Sequence, residues 1–249
     1  LLGLISRVQG KDEEANAHWR QSLLSDESLW EVRSLLAGGY QRLRLFEKSQ
    51  HVLAPRESMT RAERLMCRVS EIDGEIRASN RFAGEKLRDD IEFVQGVLTN
   101  QKGVVRAWTL CVLGRLLGID GDENGSRKAF GESTEIRSQL PMVRNLLRQA
   151  SRYHREGDLL RACNLYGLLI AYFPDFSLLY LQRGLLQMEI PDVEKGFADL
   201  EQVLKENPFH VELHLVRGRD IYLRAFQEPE QAIEDLEIYL RKRPQDPEG

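Results

Sequence analysis

Six consecutive residues, Asp120-Gly121-Asp122-Glu123-Asn124-Gly125, place carboxylates at alternate positions around a glycine bend. This resembles the opening of a calcium loop, where alternate oxygens ring the ion and glycine permits the sharp turn. The rest of the loop does not follow. The twelfth position, which should carry a bidentate glutamate, is Gly131, and Glu132 comes one residue late. Arg127 stands where an apolar residue normally docks. The run also falls at a break between helices, so the expectation is a solvated turn without metal. His210 and His214 are four apart and share one helical face. A metal there would need a third ligand and supporting hydrogen bonds, and the intervening Glu212 is misplaced for a metalloprotease helix. Both histidines are expected to be structural.

No nucleophile is framed by its neighbours: the chain holds no GxSxG, no P-loop and no GxGxxG. Carboxylate pairs such as Asp89-Asp90 read as a solvated helix face. The expectation is a protein that is not an enzyme and uses no cofactor. Arginine outnumbers lysine 27 to 8. Arginine pairs carboxylates bidentately and stacks on aromatic rings, which suits ion pairs between neighbouring helices or an acidic partner surface. Arg144, Arg148, Arg152 and Arg155 lie along one helical stretch.

The 249 residues carry 35 basic and 39 acidic side chains, a net charge of −4. The two signs are interleaved, which argues against nucleic acid as the partner. With 42% hydrophobic and 30% charged residues, the composition is that of a folded chain. The longest apolar run, Leu168 to Phe173, is too short to enter and cross a bilayer. Arg7 interrupts the apolar start, and no signal-peptide cleavage pattern follows it. Cys67, Cys111 and Cys163 are isolated, with no CxxC pair. That slightly favours a reducing compartment such as the cytoplasm.

The elements that must position any site emerge from a repeat. Pro174 and Pro208 are 34 residues apart, and Pro244 follows 36 later, with the surplus of two expected between Ala225 and Pro229. Aligned on these prolines, blocks start at Val143, Ser177 and Val211. Small residues then coincide at Ala150, Gly184 and Gly218, and again at Ala162, Gly196 and Ala232. Large residues coincide at Leu146, Tyr180 and His214, and at Tyr166, Leu200 and Leu236. Each block shows two helical stripes around a short break such as Glu156-Gly157-Asp158. Small residues let paired helices approach closely, and proline ends the second helix. One pair cannot bury its own faces, whereas stacked pairs can.

These features, with Tyr153 and Tyr166, resemble the tetratricopeptide repeat family from about Met142 to Asp246. His214 and Gln187 depart from that family's usual apolar and aromatic residues. Upstream the pattern decays. Val104 to Pro141 reads as a repeat with Trp108, Gly114 and Ala129 in place and a longer acidic turn. Gly3, Ala15 and Trp19 read as the tail of one repeat, and Trp30 to Pro55 as another with Tyr40 and Ser49 inside. Between Met59 and Gly103, Leu65, Val69 and Ile72 make one stripe, and Ala83, Leu87, Ile91, Val94 and Leu98 a second, longer helix. The organisation expected is degenerate repeats over 1–103, one repeat over 104–142, three clear repeats over 143–246 and a tail over 247–249. The ends suggest a segment of a longer chain, since Leu1 falls mid-helix and no capping helix follows Pro244.

The resemblance implies an all-α, right-handed superhelical solenoid of about seven antiparallel helix pairs, without strands. It implies a protein–protein interaction scaffold that binds a peptide or helix in a concave groove lined by the first helix of each pair. A spacer or regulatory domain of a larger enzyme, transporter or secretion machine is the alternative. Carried over by repeat position, the groove residues are Arg144, Leu147, Ser151 and His154 from the first block. The second block supplies Leu178, Leu181, Leu185 and Met188, and the third Glu212, Leu215, Arg219 and Tyr222. One subgroup of the family clamps a partner's C-terminal carboxylate with Lys, Asn and Arg. The corresponding residues here, Leu147, Ser151, Gln182, Glu212 and Val216, do not match it. An amphipathic helix or extended apolar segment is the expected ligand.

Overall fold

Prolines and small polar residues mark where the helices start. Pro141 and Pro229 each stand in the first turn of a helix, where the missing amide hydrogen costs no intrahelical bond. Thr60 and Glu63 cap another reciprocally: Thr60 N–H donates to Glu63 Oε2 at 2.7 Å, and Glu63 N–H donates to Thr60 Oγ1 at 3.3 Å. Asp158 accepts the amide of Arg161 at 3.1 Å.

The computed structural model describes residues 11–25, 45–53, 60–78, 85–190, 193–207 and 210–245, together with 2–3, 6, 32–33, 36–37, 39–40 and 43. Leu1, Trp30, Pro55, Met59, Ala83, Pro208 and the tail over 247–249 lie outside the described residues. The protein is all-α, with no strand among the described residues. In chain order the helices are α1 (Asp12–Ser25), α2 (Phe46–Leu53), α3 (Arg61–Ala78), α4 (Glu85–Leu98), α5 (Gly103–Asp120) and α6 (Glu123–Ser138). They continue as α7 (Pro141–Arg155), α8 (Leu159–Tyr172), α9 (Ser177–Glu189), α10 (Val193–Glu206), α11 (Val211–Val216) and α12 (Pro229–Lys242). Between α11 and α12 the chain is wound as a π-helix, Arg217–Phe226.

Two compact units result, Leu1–Ser133 and Thr134–Gly249. In the first, Ala15 and Trp19 of α1 are buried with Leu36 and Tyr40. A Cβ on Gly3 would lie 2.4 Å from Trp19 Nε1, so the small residue is required there. Val69 and Ile72 of α3 and Leu87, Ile91, Val94 and Leu98 of α4 are buried. The stripes read from sequence therefore face the core, although α3, at 18 residues, is longer than α4, at 14. Helix α5 is buried on nearly every side from Ala107 to Leu117. The turn after it is only Gly121-Asp122, because Asp120 still belongs to α5 and Glu123 already begins α6. Gly121 has φ +88°, a left-handed cap that favours glycine, and Asp122 Oδ1 accepts the Gly125 amide at 2.9 Å.

Asp90 corrects one expectation. Asp89 is exposed, but Asp90 is buried and accepts from Arg68 at 3.1 Å, so this pair is not a solvated face.

In the second unit, α7 packs on α8, α8 on α9, α9 on α10, α10 on the π-helical segment, and α12 on both that segment and α11. Each packing partner is close in sequence. Short turns between packed helices make these pairs antiparallel. The small columns are where the pairs meet. A Cβ on Gly184 would lie 3.0 Å from the Gly196 carbonyl oxygen, and one on Gly196 would lie 2.9 Å from that of Gly184. A Cβ on Gly218 would lie 3.1 Å from the Ala232 carbonyl oxygen. Ala150 and Ala162 are fully buried at the matching positions.

The surplus in the last block lies mostly in its first helix rather than in the following turn. From Val211 to Phe226 this helix counts 16 residues, against 13 from Ser177 to Glu189. The turn after it is only Gln227-Glu228. A π-helix holds more residues per turn than an α-helix, so it absorbs extra residues without a matching gain in length.

Candidate functional site

The twelve groove candidates all sit on α7, α9, α11 and the π-helical segment, within the second unit. Helix α9 shows how the chain sorts its two faces. Leu179, Gly184 and Leu186 are buried between neighbouring helices. Leu178, Leu181 and Met188 are half-buried, and Leu185 is 36% exposed. Leu178 packs on the core around Leu169 and Phe176. Leu181 and Met188 pack on a second core around Leu200, Leu213 and Ile221. Leu185 is thus the most solvent-accessible of the four.

On α7, Arg144 and Ser151 are exposed, and Leu147 is half-buried against the core that Leu178 also touches. His154 is exposed, and its Nε2 lies 3.1 Å from Glu189 Oε2 at the end of α9. On the other side, Glu212 is exposed and accepts from Arg243 at 2.9 Å. Arg219 pairs with the adjacent Asp220 at 3.0 Å, and Arg224 reaches the same carboxylate at 2.7 Å. Tyr222 is half-buried in an edge-to-face trio with Phe197 and Phe226, at centroid separations of 5.6 and 6.4 Å. Leu215 is buried with Val211 and Tyr239, which leaves it little surface to present to a ligand. Apolar and charged candidates therefore segregate: apolar along α9, unmatched positive charge along α7, and mutually paired charges beside α11.

A buried ionic feature went unread in the sequence. Arg183 grips Asp199 through two hydrogen bonds of 2.7 and 2.8 Å between α9 and α10. Arg217, 34 residues on, grips Asp235, 36 residues on, in the same way, with Nη2 at 2.6 Å. Each arginine directly precedes the small residue of its first helix, and each aspartate follows the small residue of the second helix by three. This arrangement is legible only after the small columns are aligned. In the first block the equivalent residues are Gln149 and Leu165, and the device is absent there.

Asp235 also accepts from His214 Nδ1 at 2.8 Å, and Arg217 contacts Glu201. Burial raises the Asp235 carboxyl pKa, but bonds from Arg217 and His214 outweigh it and hold the group below its ordinary value. Burial likewise opposes the Arg217 charge, and its carboxylate partners more than compensate. His214 is thus a packed side chain with a carboxylate partner. His210 lies beside Glu212, at 3.7 Å, and burial pushes its imidazole pKa down.

Among the described residues, no group of three or more His, Cys, Asp or Glu side chains is disposed to hold a metal ion. No described helix is long and apolar enough to cross a membrane. No protein-family model matches this chain, and a search of curated proteins finds no match either.

Proposed function

We propose that this protein is a non-catalytic scaffold of the tetratricopeptide type, which binds a segment of a partner protein along the first helices of its repeats. The observation that carries the reading is the sorting of α9, with Leu179, Gly184 and Leu186 inside and Leu185 at the solvent edge of an otherwise half-buried apolar stripe. Helix pairs that meet at Gly184 and Gly196 and at Gly218 and Ala232, with Ala150 and Ala162 buried at the matching positions, support a solenoid built by stacking. A groove lined by Leu178, Leu181, Leu185 and Met188 suits the apolar face of a helix or extended segment.

The test is selection of binding peptides from a random library on the full chain, followed by affinity measurement on Leu185→Lys. That substitution changes an exposed side chain, so the fold is retained while the stripe gains a charge. Binding should weaken at least about tenfold, as expected when an apolar contact at an interface centre is replaced by a desolvated charge. Selected peptides that bind Leu185→Lys as tightly as wild type would place the binding surface elsewhere.

A further inference from the structure

The charges around the apolar stripe are unequal. At 3.6 residues per turn, Arg144, Arg148, Ser151 and Arg155 fall within about 60° of one another on α7. All four are exposed. Among the described residues, Arg144 and Arg148 make no ion pair, and Arg155 bonds only the Ser151 carbonyl oxygen, at 3.4 Å. Neighbouring Arg152 is also exposed and meets Glu156 at 3.5 Å, an exposed pair that contributes little. Helix α7 contains no acidic residue at all.

This ridge adjoins the stripe. Its flank carries Leu147 and His154, and His154 is the residue that reaches Glu189 of α9. Beyond α9 the situation reverses. Glu212 is matched by Arg243, Arg219 and Arg224 by Asp220, and Arg217 by Asp235. One side of the stripe is therefore a row of arginines lacking carboxylates, and the other is self-neutralised. Exposed like charges along one helix repel, and a row left unmatched by its own chain is complementary to an acidic one.

We infer that the groove takes an amphipathic protein helix with an apolar face for the α9 stripe and a row of Asp or Glu along one edge, and that this acidic edge lies over Arg144, Arg148 and Arg155. The inference rests on the groove reading above and adds the partner's charge and its orientation. Arginine suits this role because its planar fork donates two hydrogen bonds to one carboxylate. The apolar stripe supplies affinity, while the ridge fixes which edge of the ligand faces α7 and speeds encounter at low salt.

The experiment is the same peptide selection, run in parallel on the wild-type chain and on the double variant Arg144→Glu/Arg148→Glu. Both substitutions are at exposed positions, and helicity is checked by circular dichroism. Peptides from the wild type should combine apolar residues at helical spacing with acidic residues along one edge. Replacing those acids by Gln should weaken binding at least about tenfold, and less so at high salt. The double variant should lose the acidic peptides and instead enrich peptides with Lys or Arg on that edge. Peptides without acidic bias, or equal binding of acidic peptides to both chains, would overturn the inference while leaving the groove reading standing. No enrichment, or binding insensitive to Leu185→Lys, would overturn both. A single-stranded oligonucleotide that binds more tightly than every selected peptide, and loses binding in the double variant, would also overturn it, because the ridge would then be a phosphate-binding surface.

Discussion

At the scale of single residues, the closest helix contacts allow almost no added volume. A side chain on Gly184 meets the Gly196 carbonyl oxygen at 3.0 Å, and backbone cannot step aside as a flexible side chain can. Gly184→Leu should therefore destabilise the chain by about 1–3 kcal/mol or more. A denaturant melt with an unchanged midpoint would contradict this packing. The Asp235 network allows a pH prediction. Its carboxyl is held below its ordinary value, so the folded state binds fewer protons than the unfolded state over that range. The resulting stabilisation is complete above the ordinary Asp value of about 4 and is lost as pH falls through the lowered folded value. Asp235→Asn leaves Arg217 with Glu201 as its carboxylate partner and should cost about 2 kcal/mol at neutral pH, the loss of charged hydrogen bonds. That deficit should shrink in urea melts below about pH 4, where the wild type loses the same contribution.

At the scale of elements, α9 separates stability from recognition. Leu185 is 36% exposed, so Leu185→Lys should change stability by no more than about 0.5 kcal/mol. Leu179 is fully buried, and Leu179→Lys should prevent folding of its helix pair. Leu181 falls between them. It packs on the core around Leu200 and Leu213, so Leu181→Asp should reduce stability as well as binding. Thermal melts should rank Leu185→Lys as the most stable variant, Leu181→Asp next and Leu179→Lys the least. Leu185 is accordingly the cleaner probe of the groove. Repeat alignment put Leu178, Leu181, Leu185 and Met188 at equivalent positions of one helix, because a fixed period places equivalent residues on equivalent faces. How much surface each retains was not readable, because neighbouring helices determine it. Leu215 shows this plainly: it shares a repeat position with Leu181 yet is buried with Val211 and Tyr239.

At the scale of the whole molecule, packing partners are close in sequence, as in a chain stabilised by nearest-neighbour contacts. The three tryptophans, at 19, 30 and 108, all belong to the first unit. Their fluorescence therefore reports on that unit, whereas circular dichroism reports on helices of both. Gly184→Leu should lower the dichroism midpoint and shift the fluorescence midpoint less. Coincident shifts of equal size in both signals would show that the chain unfolds as one cooperative block.

The sequence by itself determined the helical class, the period and the small columns. These depend on local spacing: stripes at 3.6 residues, glycine where backbones must approach, and proline where a helix begins or ends. It also indicated that His214 is a packing residue, but it read a long acidic turn at Asp120 to Gly125 where only Gly121 and Asp122 lie outside the helices. Only the tertiary structure decided which charges meet. The Arg183–Asp199 and Arg217–Asp235 grips join residues 16 and 18 positions apart on different helices. Asp90 was misread as solvated for the same reason, since its partner Arg68 sits on the preceding helix, 22 residues away. The π-helical winding of Arg217–Phe226 was likewise hidden. Sequence counting detected two surplus residues, but turn and helix can both absorb them, and the packing of this segment on α10 and α12 places them mainly in the helix.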